Sequence, residues 1–135
     1  MFKTKIVGAG SIGNHLAHAS RTLGWDVTVC DVSNEALKRM KSEIYPTRYG
    51  KWDKSIKLYN SEDVPEGIYD FICIGTPPES HVPLALKAIK EEPKAILIEK
   101  PLCTPSLDGA HELWRDSQDT DCRIFVGYDH VVGKA

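Results

Sequence analysis

The feature that most constrains this chain is a glycine-rich turn, Gly8-Ala9-Gly10-Ser11-Ile12-Gly13, set between an apolar run and a helical pattern. Lys5-Ile6-Val7 reads as a buried strand, and Ile12, Leu16, Ala19 and Leu23 recur at helical spacing after the turn. In such a turn Gly8 allows the tight reversal, Gly10 lets backbone approach a ligand, and Gly13 lets the helix pack closely on the sheet. The helix start, at Ser11 and Ile12, offers unpaired N–H groups and the positive end of its dipole to an anion. The expected anion is the pyrophosphate of a dinucleotide.

Glycines also collect in turns for local reasons, so the context decides. The helix is expected to stop at Gly24, a second run Trp25-Asp26-Val27-Thr28-Val29-Cys30 follows, and Asp31 closes it 18 residues after Gly13. That is the expected place for an acid that holds a ribose. The Asp31 carboxylate can accept hydrogen bonds from ribose hydroxyls and would repel a 2′-phosphate, and Val32 and Ser33, not an arginine, come next. NAD is therefore expected over NADP. NADP stays open because Lys38 and Arg39 could fold back toward the site.

At 135 residues with 41% hydrophobic content the chain is expected to form a single domain, residues 1–135, around one core. The formal net charge of −2 gives no electrostatic case for nucleic acid or membrane as a partner. With no secretory pattern at the N-terminus and no apolar stretch long enough to span a bilayer, a soluble, cytoplasmic protein is the simplest expectation. Cys30, Cys73, Cys103 and Cys122 form no C-x-x-C pair, so they read as reduced, buried or incidental thiols, without a metal site.

Strand and helix signals alternate to the end. Ser33 can cap a helix through Leu37 and Met40, and Ile56-Lys57-Leu58-Tyr59 reads as a short edge strand. Phe71-Ile72-Cys73-Ile74 is an apolar strand ending in Gly75-Thr76-Pro77-Pro78, after which Ser80 can cap a helix with Val82, Leu86 and Ile89 on one face. Ala95-Ile96-Leu97-Ile98 is the fifth strand. Thr104 and Pro105 then supply a cap and a first helical residue, Leu107, Ala110 and Trp114 mark the buried face, and Ile124-Phe125-Val126 is the last strand. Six strands separated by crossovers predict an α/β fold with a doubly wound parallel sheet, in the order 3-2-1-4-5-6. Between Tyr45 and Tyr59 aromatic and basic residues interleave, a pattern seen where single-stranded nucleic acid binds. A connection laid over the sheet edge, aromatics inward and lysines solvated, explains it better.

In a doubly wound sheet ligands lie beyond the carboxyl ends of the strands, which here are followed by Gly8 to Gly13, Asp31, Gly75 to Pro78, Glu99 to Pro101, and Gly127 to Asp129. Glu99-Lys100-Pro101 stands out, because Lys100 follows four apolar strand residues and points toward the expected cleft. Such a lysine can hydrogen-bond a substrate hydroxyl, stabilise alkoxide charge or pass a proton. A surface lysine snorkelling at a strand end is an equally good reading of the residues alone.

Taken in order, Val7 to Gly13, Gly75-Thr76-Pro77-Pro78 with His81, Glu99-Lys100-Pro101-Leu102 and Val126-Gly127-Tyr128 resemble the N-terminal half of the glucose-fructose oxidoreductase, inositol dehydrogenase and MocA family. The resemblance implies an NAD(P)-dependent oxidoreductase that moves a hydride between nicotinamide C4 and a hydroxyl-bearing carbon of a sugar, cyclitol or sugar nucleotide. It implies that Lys100 lies near the reacting carbon as the catalytic residue. It also implies that Gly8, Gly10, Ser11, Ile12, Gly13, Asp31, Gly75, Thr76, Pro77, His81, Glu99 and Pro101 bind the cofactor. His81 could instead bond a neighbouring loop. The family's substrate domain, through which like chains associate, is not expected within these residues, and Tyr128-Asp129-His130 stands where many relatives have Asn and Arg before an aromatic. His130 is expected to be a tail residue, and His15, His18 and His111 exposed or structural. A stand-alone nucleotide-sensing module using the same loop without catalysis is the alternative.

Overall fold

The short apolar runs become strands and the periodic segments between them helices, giving six strands joined by five crossovers in a computed structural model that describes residues 1–127. Tyr128, Asp129 and His130 lie outside the described residues. The elements are β1 (Lys3–Val7), α1 (Ser11–Thr22), β2 (Asp26–Asp31), α2 (Asn34–Arg39), α3 (Tyr45–Tyr49), β3 (Lys57–Asn60), β4 (Phe71–Ile74), α4 (His81–Ile89), β5 (Ala95–Glu99), α5 (Ala110–Gln118) and β6 (Arg123–Gly127). All pairings are parallel and the sheet order is β3-β2-β1-β4-β5-β6, as the alternation predicts. No helix among the described residues is long and apolar enough to cross a membrane.

Alternation along each strand divides the core in two. Ile6, Val27, Val29 and Cys73 pack with Ala17, Leu37, Met40 and Tyr45 on one face, and Ile72, Ile74, Ile96 and Ile98 pack with Val82, Ala85 and Leu113 on the other. Each buried isoleucine contributes about 1.5–3 kcal/mol. Ser33 caps α2 as its position predicts, its Oγ accepting from Ala36 N–H at 3.2 Å. The aromatic stretch also lies as expected, with Tyr45 buried, Tyr49 stacked on His18 at 3.8 Å, and Lys51 and Lys54 exposed. Burial pushes the Cys30 thiol up and the Cys73 thiol up to about 12, so both stay protonated core groups.

Three helix faces differ from the periodic reading. In α1 the buried residues are Gly13, Asn14, Ala17 and Ser20, while Ile12 and Leu23 are exposed, Ala19 is exposed and Leu16 only flanks the core. Small residues at this spacing bring the helix axis close to the strands, and that tight approach outweighs burial of the larger side chains. In α4 the inner residues are Val82, Ala85 and Ala88, with Leu86 and Ile89 at the margin, and the Ser80 hydroxyl does not cap the helix. Before α5, Thr104 to Leu107 form a turn closed by Leu107 N–H on Thr104 O at 3.0 Å, and the helix starts only at Ala110. Leu107 and Trp114 are therefore exposed and Leu113 fills the core. Gly109 sets this start: it has φ +76°, and a Cβ there would lie 2.7 Å from Val82 Cγ1.

Beneath β1 lies a charge that hydrophobic patterning hides. Lys5, buried in the sheet, donates to Glu91 just beyond α4 at 2.5 Å, and Glu91 also accepts from Gly67 N–H at 2.9 Å. Removing one partner leaves an uncompensated buried charge. Lys5→Met is expected to lower unfolding free energy by about 3–5 kcal/mol, and Lys5→Met with Glu91→Gln to recover most of that loss, measured by denaturant titration.

Candidate functional site

The glycine turn lies at the switch point of the sheet, between β1 and β4. Gly8 N–H donates to Cys30 O at 2.8 Å and Gly75 N–H to Val7 O at 2.9 Å, so the strand ends on both sides are fixed before the turn begins. Gly8 has φ +113°, and a Cβ on it would stand 2.7 Å from Gly75 O. A Cβ on Gly13 would lie 1.8 Å from Gly8 O, whereas one on Gly10 would meet nothing within 4 Å. Thus Gly8 and Gly13 are required by the fold, and Gly10 leaves open space in front of α1. The N–H groups of Ser11, Ile12 and Gly13 find no acceptor among the described residues, and the first turn of α1 holds no acidic residue. Open space, free donors and a helix dipole converge there, which fits a pyrophosphate.

Asp31 ends β2 beside this turn. Its Oδ2 accepts from Ala9 N–H at 2.9 Å and its Oδ1 from Ser33 N–H at 2.8 Å, which orients the carboxylate and leaves lone pairs for further donors. Lys38 and Arg39, the cations nearest in sequence, are exposed on the last turn of α2.

A cleft of about 770 Å³ opens at the carboxyl ends of the strands, in the size range of cofactor pockets. Gly8, Gly10, Asp31, Gly75, Thr76 and Pro77 meet on its wall, together with Val32 and Ser61. Ser11, Ile12 and Gly13 adjoin it as the start of α1. Glu99, Lys100 and Pro101 do not line this cleft; they lie at the end of β5, the strand beyond β4. Lys100 is exposed and forms no ion pair among the described residues, and its peptide bond to Pro101 is cis.

His81 does not face the cleft. It is 1% exposed, its Nδ1 lies 2.7 Å from Pro101 O and its Nε2 2.6 Å from Thr76 O. These contacts are those of the alternative reading, a ring bonded to neighbouring loops: burial leaves it touching the two loops, not the open space between them. Ser80 strengthens the same corner, donating to Thr76 Oγ1 at 2.6 Å.

Two residues of the site escape a reading by sequence. Asn14, fully buried, donates through Nδ2 to Gly10 O at 2.8 Å and Ala9 O at 3.1 Å, tying the turn to α1. Its one signal is an asparagine inside a helix, where that residue is a poor former. Arg48 on α3 donates to Ser11 O at 2.8 Å and Ser11 Oγ at 2.7 Å, and nothing local in the sequence links residues so far apart.

The glycines separate fold from ligand. Gly13→Ala is expected to cost at least ~3 kcal/mol, because backbone stands where its methyl must go. Gly10→Val should leave the thermal midpoint within a few degrees and abolish dinucleotide binding, measured by melting and calorimetric titration on the same samples.

No curated protein sequence matches the chain. Among solved structures it is similar to the UDP-N-acetylglucosamine 3-dehydrogenase GnnA from Acidithiobacillus ferrooxidans, at 21% identity and a TM-score of 0.71 over 93% of this chain and 36% of that one. It is similar to GenD2 from gentamicin A biosynthesis, solved with NAD, at 21% identity and a TM-score of 0.69, covering 93% and 34% of the two chains. A biliverdin reductase from Synechocystis sp. PCC 6803, solved with biliverdin and NADP+, aligns at 16% identity and a TM-score of 0.73, covering 97% and 39%. The chain thus spans little more than a third of the length of these structures, and at such identities the likeness is one of fold. The profile of the oxidoreductase family with an NAD-binding Rossmann fold matches residues 2–128, so the chain belongs to the Gfo/Idh/MocA oxidoreductase family.

Proposed function

We propose that this chain is the cofactor-binding part of an NAD-dependent dehydrogenase acting on a hydroxyl-bearing carbon of a sugar, cyclitol or sugar nucleotide. The observation that carries the reading is the spacing of two charged side chains along the strand ends. Asp31 ends β2 and Lys100 follows β5, three strand spacings away, roughly 14 Å. Between them lies the glycine turn with its free N–H groups. That distance is of the order of an extended dinucleotide, with ribose at Asp31, pyrophosphate at Ser11 and Ile12, and the reactive end near Lys100.

A nicotinamide bound in this orientation supplies the hydride acceptor or donor. The chain supplies the rest. The Gly10 gap and the α1 N–H groups hold the pyrophosphate, Asp31 accepts from the ribose hydroxyls, and Thr76 and Pro77 wall the cleft. Lys100, exposed beyond β5, is placed to hydrogen-bond the substrate hydroxyl and to take up or return its proton as the carbon is oxidised or reduced. The groups that orient the substrate and exclude water come from outside residues 1–127, as the much longer chains of similar fold suggest. The sugar class is supported by the sugar-nucleotide dehydrogenase among those structures.

Calorimetric titration should give tighter binding of NAD than NADP by roughly tenfold, about 1.4 kcal/mol; equal or tighter NADP binding overturns the preference, and binding of neither overturns the site. The 135-residue chain is expected to bind NAD without turning over sugars or cyclitols. In an active longer form, Lys100→Ala should lower kcat by roughly 100-fold or more and leave NAD affinity unchanged. An alanine variant of full activity would make Lys100 a surface lysine, whereas a longer form that binds NAD and turns over none of these substrates would favour a nucleotide-sensing module.

A further inference from the structure

The contact that presses Gly13 against Gly8 O also sets the next residue, Asn14, beneath the glycine turn. Asn14 is 0% exposed, and its side-chain amide lies 2.8 Å from Gly10 O and 3.1 Å from Ala9 O. Both partners are carbonyls, so the end that meets them is the NH2 group, with both protons spent; the reversed amide would set an oxygen against two acceptors. The Asn14 Oδ1 has no donor among the described residues. A side chain buried with an unpaired oxygen, and a poor helix former as well, is one that packing alone does not call for.

A trans peptide is planar, so each N–H points away from the carbonyl of the residue before it. Drawing Ala9 O and Gly10 O inward therefore turns the N–H groups of Gly10 and Ser11 outward, where neither finds an acceptor among the described residues. The Gly10–Ser11 unit is held by the helix too, because Gly10 O accepts from Asn14 N–H at 3.0 Å. The Ala9–Gly10 unit lies before the helix, and among the described residues its carbonyl is held by the Asn14 side chain alone. Gly10 makes that unit free to turn over. Its φ is −82°, a flip would carry it to positive φ, which glycine adopts at little cost, and a Cβ there would meet nothing within 4 Å. Flipped, the unit would set Ala9 O, the negative end of its dipole, where Gly10 N–H now faces the cleft.

We propose that Asn14 is a positioning residue of the cofactor site: it latches the Ala9–Gly10 peptide against flipping, and so presents the N–H groups of Gly10 and Ser11 together to the diphosphate of the dinucleotide. Asp31 completes the latch, since its Oδ2 accepts from Ala9 N–H at 2.9 Å. Ala9 is thereby held at its N–H from β2 and at its carbonyl from α1. The place of the diphosphate rests on the proposed function; the latch does not.

NMR titration of the 135-residue chain with ADP, and with adenosine as the ligand without phosphate, tests it. In the unaltered chain both Asn14 side-chain amide protons should exchange slowly, and ADP should move the backbone amide protons of Gly10 and Ser11 downfield together. Asn14→Leu keeps the bulk and removes the donors. Its affinity for ADP should fall by about tenfold with that for adenosine unchanged, and ADP should still move the Ser11 amide, which the helix holds, but no longer the Gly10 amide. Undiminished ADP affinity, an equal loss for adenosine, or a Gly10 amide that responds as before overturns the proposal. If the leucine variant does not fold, Asn14→Ser, whose hydroxyl has one proton for the two carbonyls, is read in the same way. If neither folds, the unaltered chain decides: a side-chain amide proton exchanging at the rate of free solvent-exposed asparagine, or a Gly10 amide that stays still while Ser11 moves, overturns the latch. Failure of the unaltered chain to bind ADP and NAD, or binding of ADP that moves neither amide, overturns the proposed placement of the cofactor and leaves the exchange measurement to decide the latch.

Discussion

Backbone meets backbone at the centre of this molecule, and the rest is arranged around that contact. Gly13 on α1 stands against Gly8 O, and Gly8 stands against Gly75 O, with no room for a Cβ on either. A helix start, a strand end and the next loop are thereby brought closer than side chains allow. Two consequences follow together. The dipole of α1 is aimed into the crevice between β1 and β4, and the small residues Ala17 and Ser20 are drawn inward behind Gly13. Fold and binding crevice are products of the same close approach.

Much of this was written plainly in the sequence. Continuous apolar runs such as Phe71 to Ile74 and Ala95 to Ile98 could only be strands buried on both faces, and their separation by crossovers dictated the sheet order. The glycine spacing and Asp31 pointed to residues that the fold brings together on the wall of one cleft. Helix faces were harder to see, because periodicity counts large side chains, while α1 and α4 present glycine, alanine and serine to the sheet. The start of α5 was hidden for a different reason, since Thr104 and Pro105 carry the local signs of a helix start but the approach of Gly109 to Val82 delays it. His81, Asn14 and Arg48 act through bonds to backbone or side chains brought close by the fold, and composition or spacing does not encode those partners.

Stability and function occupy different ends of the strands. The Lys5–Glu91 pair, the two hydrophobic clusters and the aromatic group around Tyr45 lie in or beneath the sheet. Free donors, the oriented Asp31 carboxylate and the exposed Lys100 gather where the strands stop. Loops at that end can change without disturbing the core, and a rigid sheet holds whatever they carry.

Asp31 complicates that separation. Its Oδ2 accepts from Ala9 N–H inside the glycine turn, so the group proposed to hold a ribose also braces that turn. Cofactor exchange by replacing this acid with a neutral residue and a nearby cation would remove repulsion of a 2′-phosphate and a strut of the turn in one step. A lineage moving toward NADP would need a second change to hold Ala9 in place. Cofactor preference in this protein is thus coupled to the shape of the loop, and the two are expected to drift in concert.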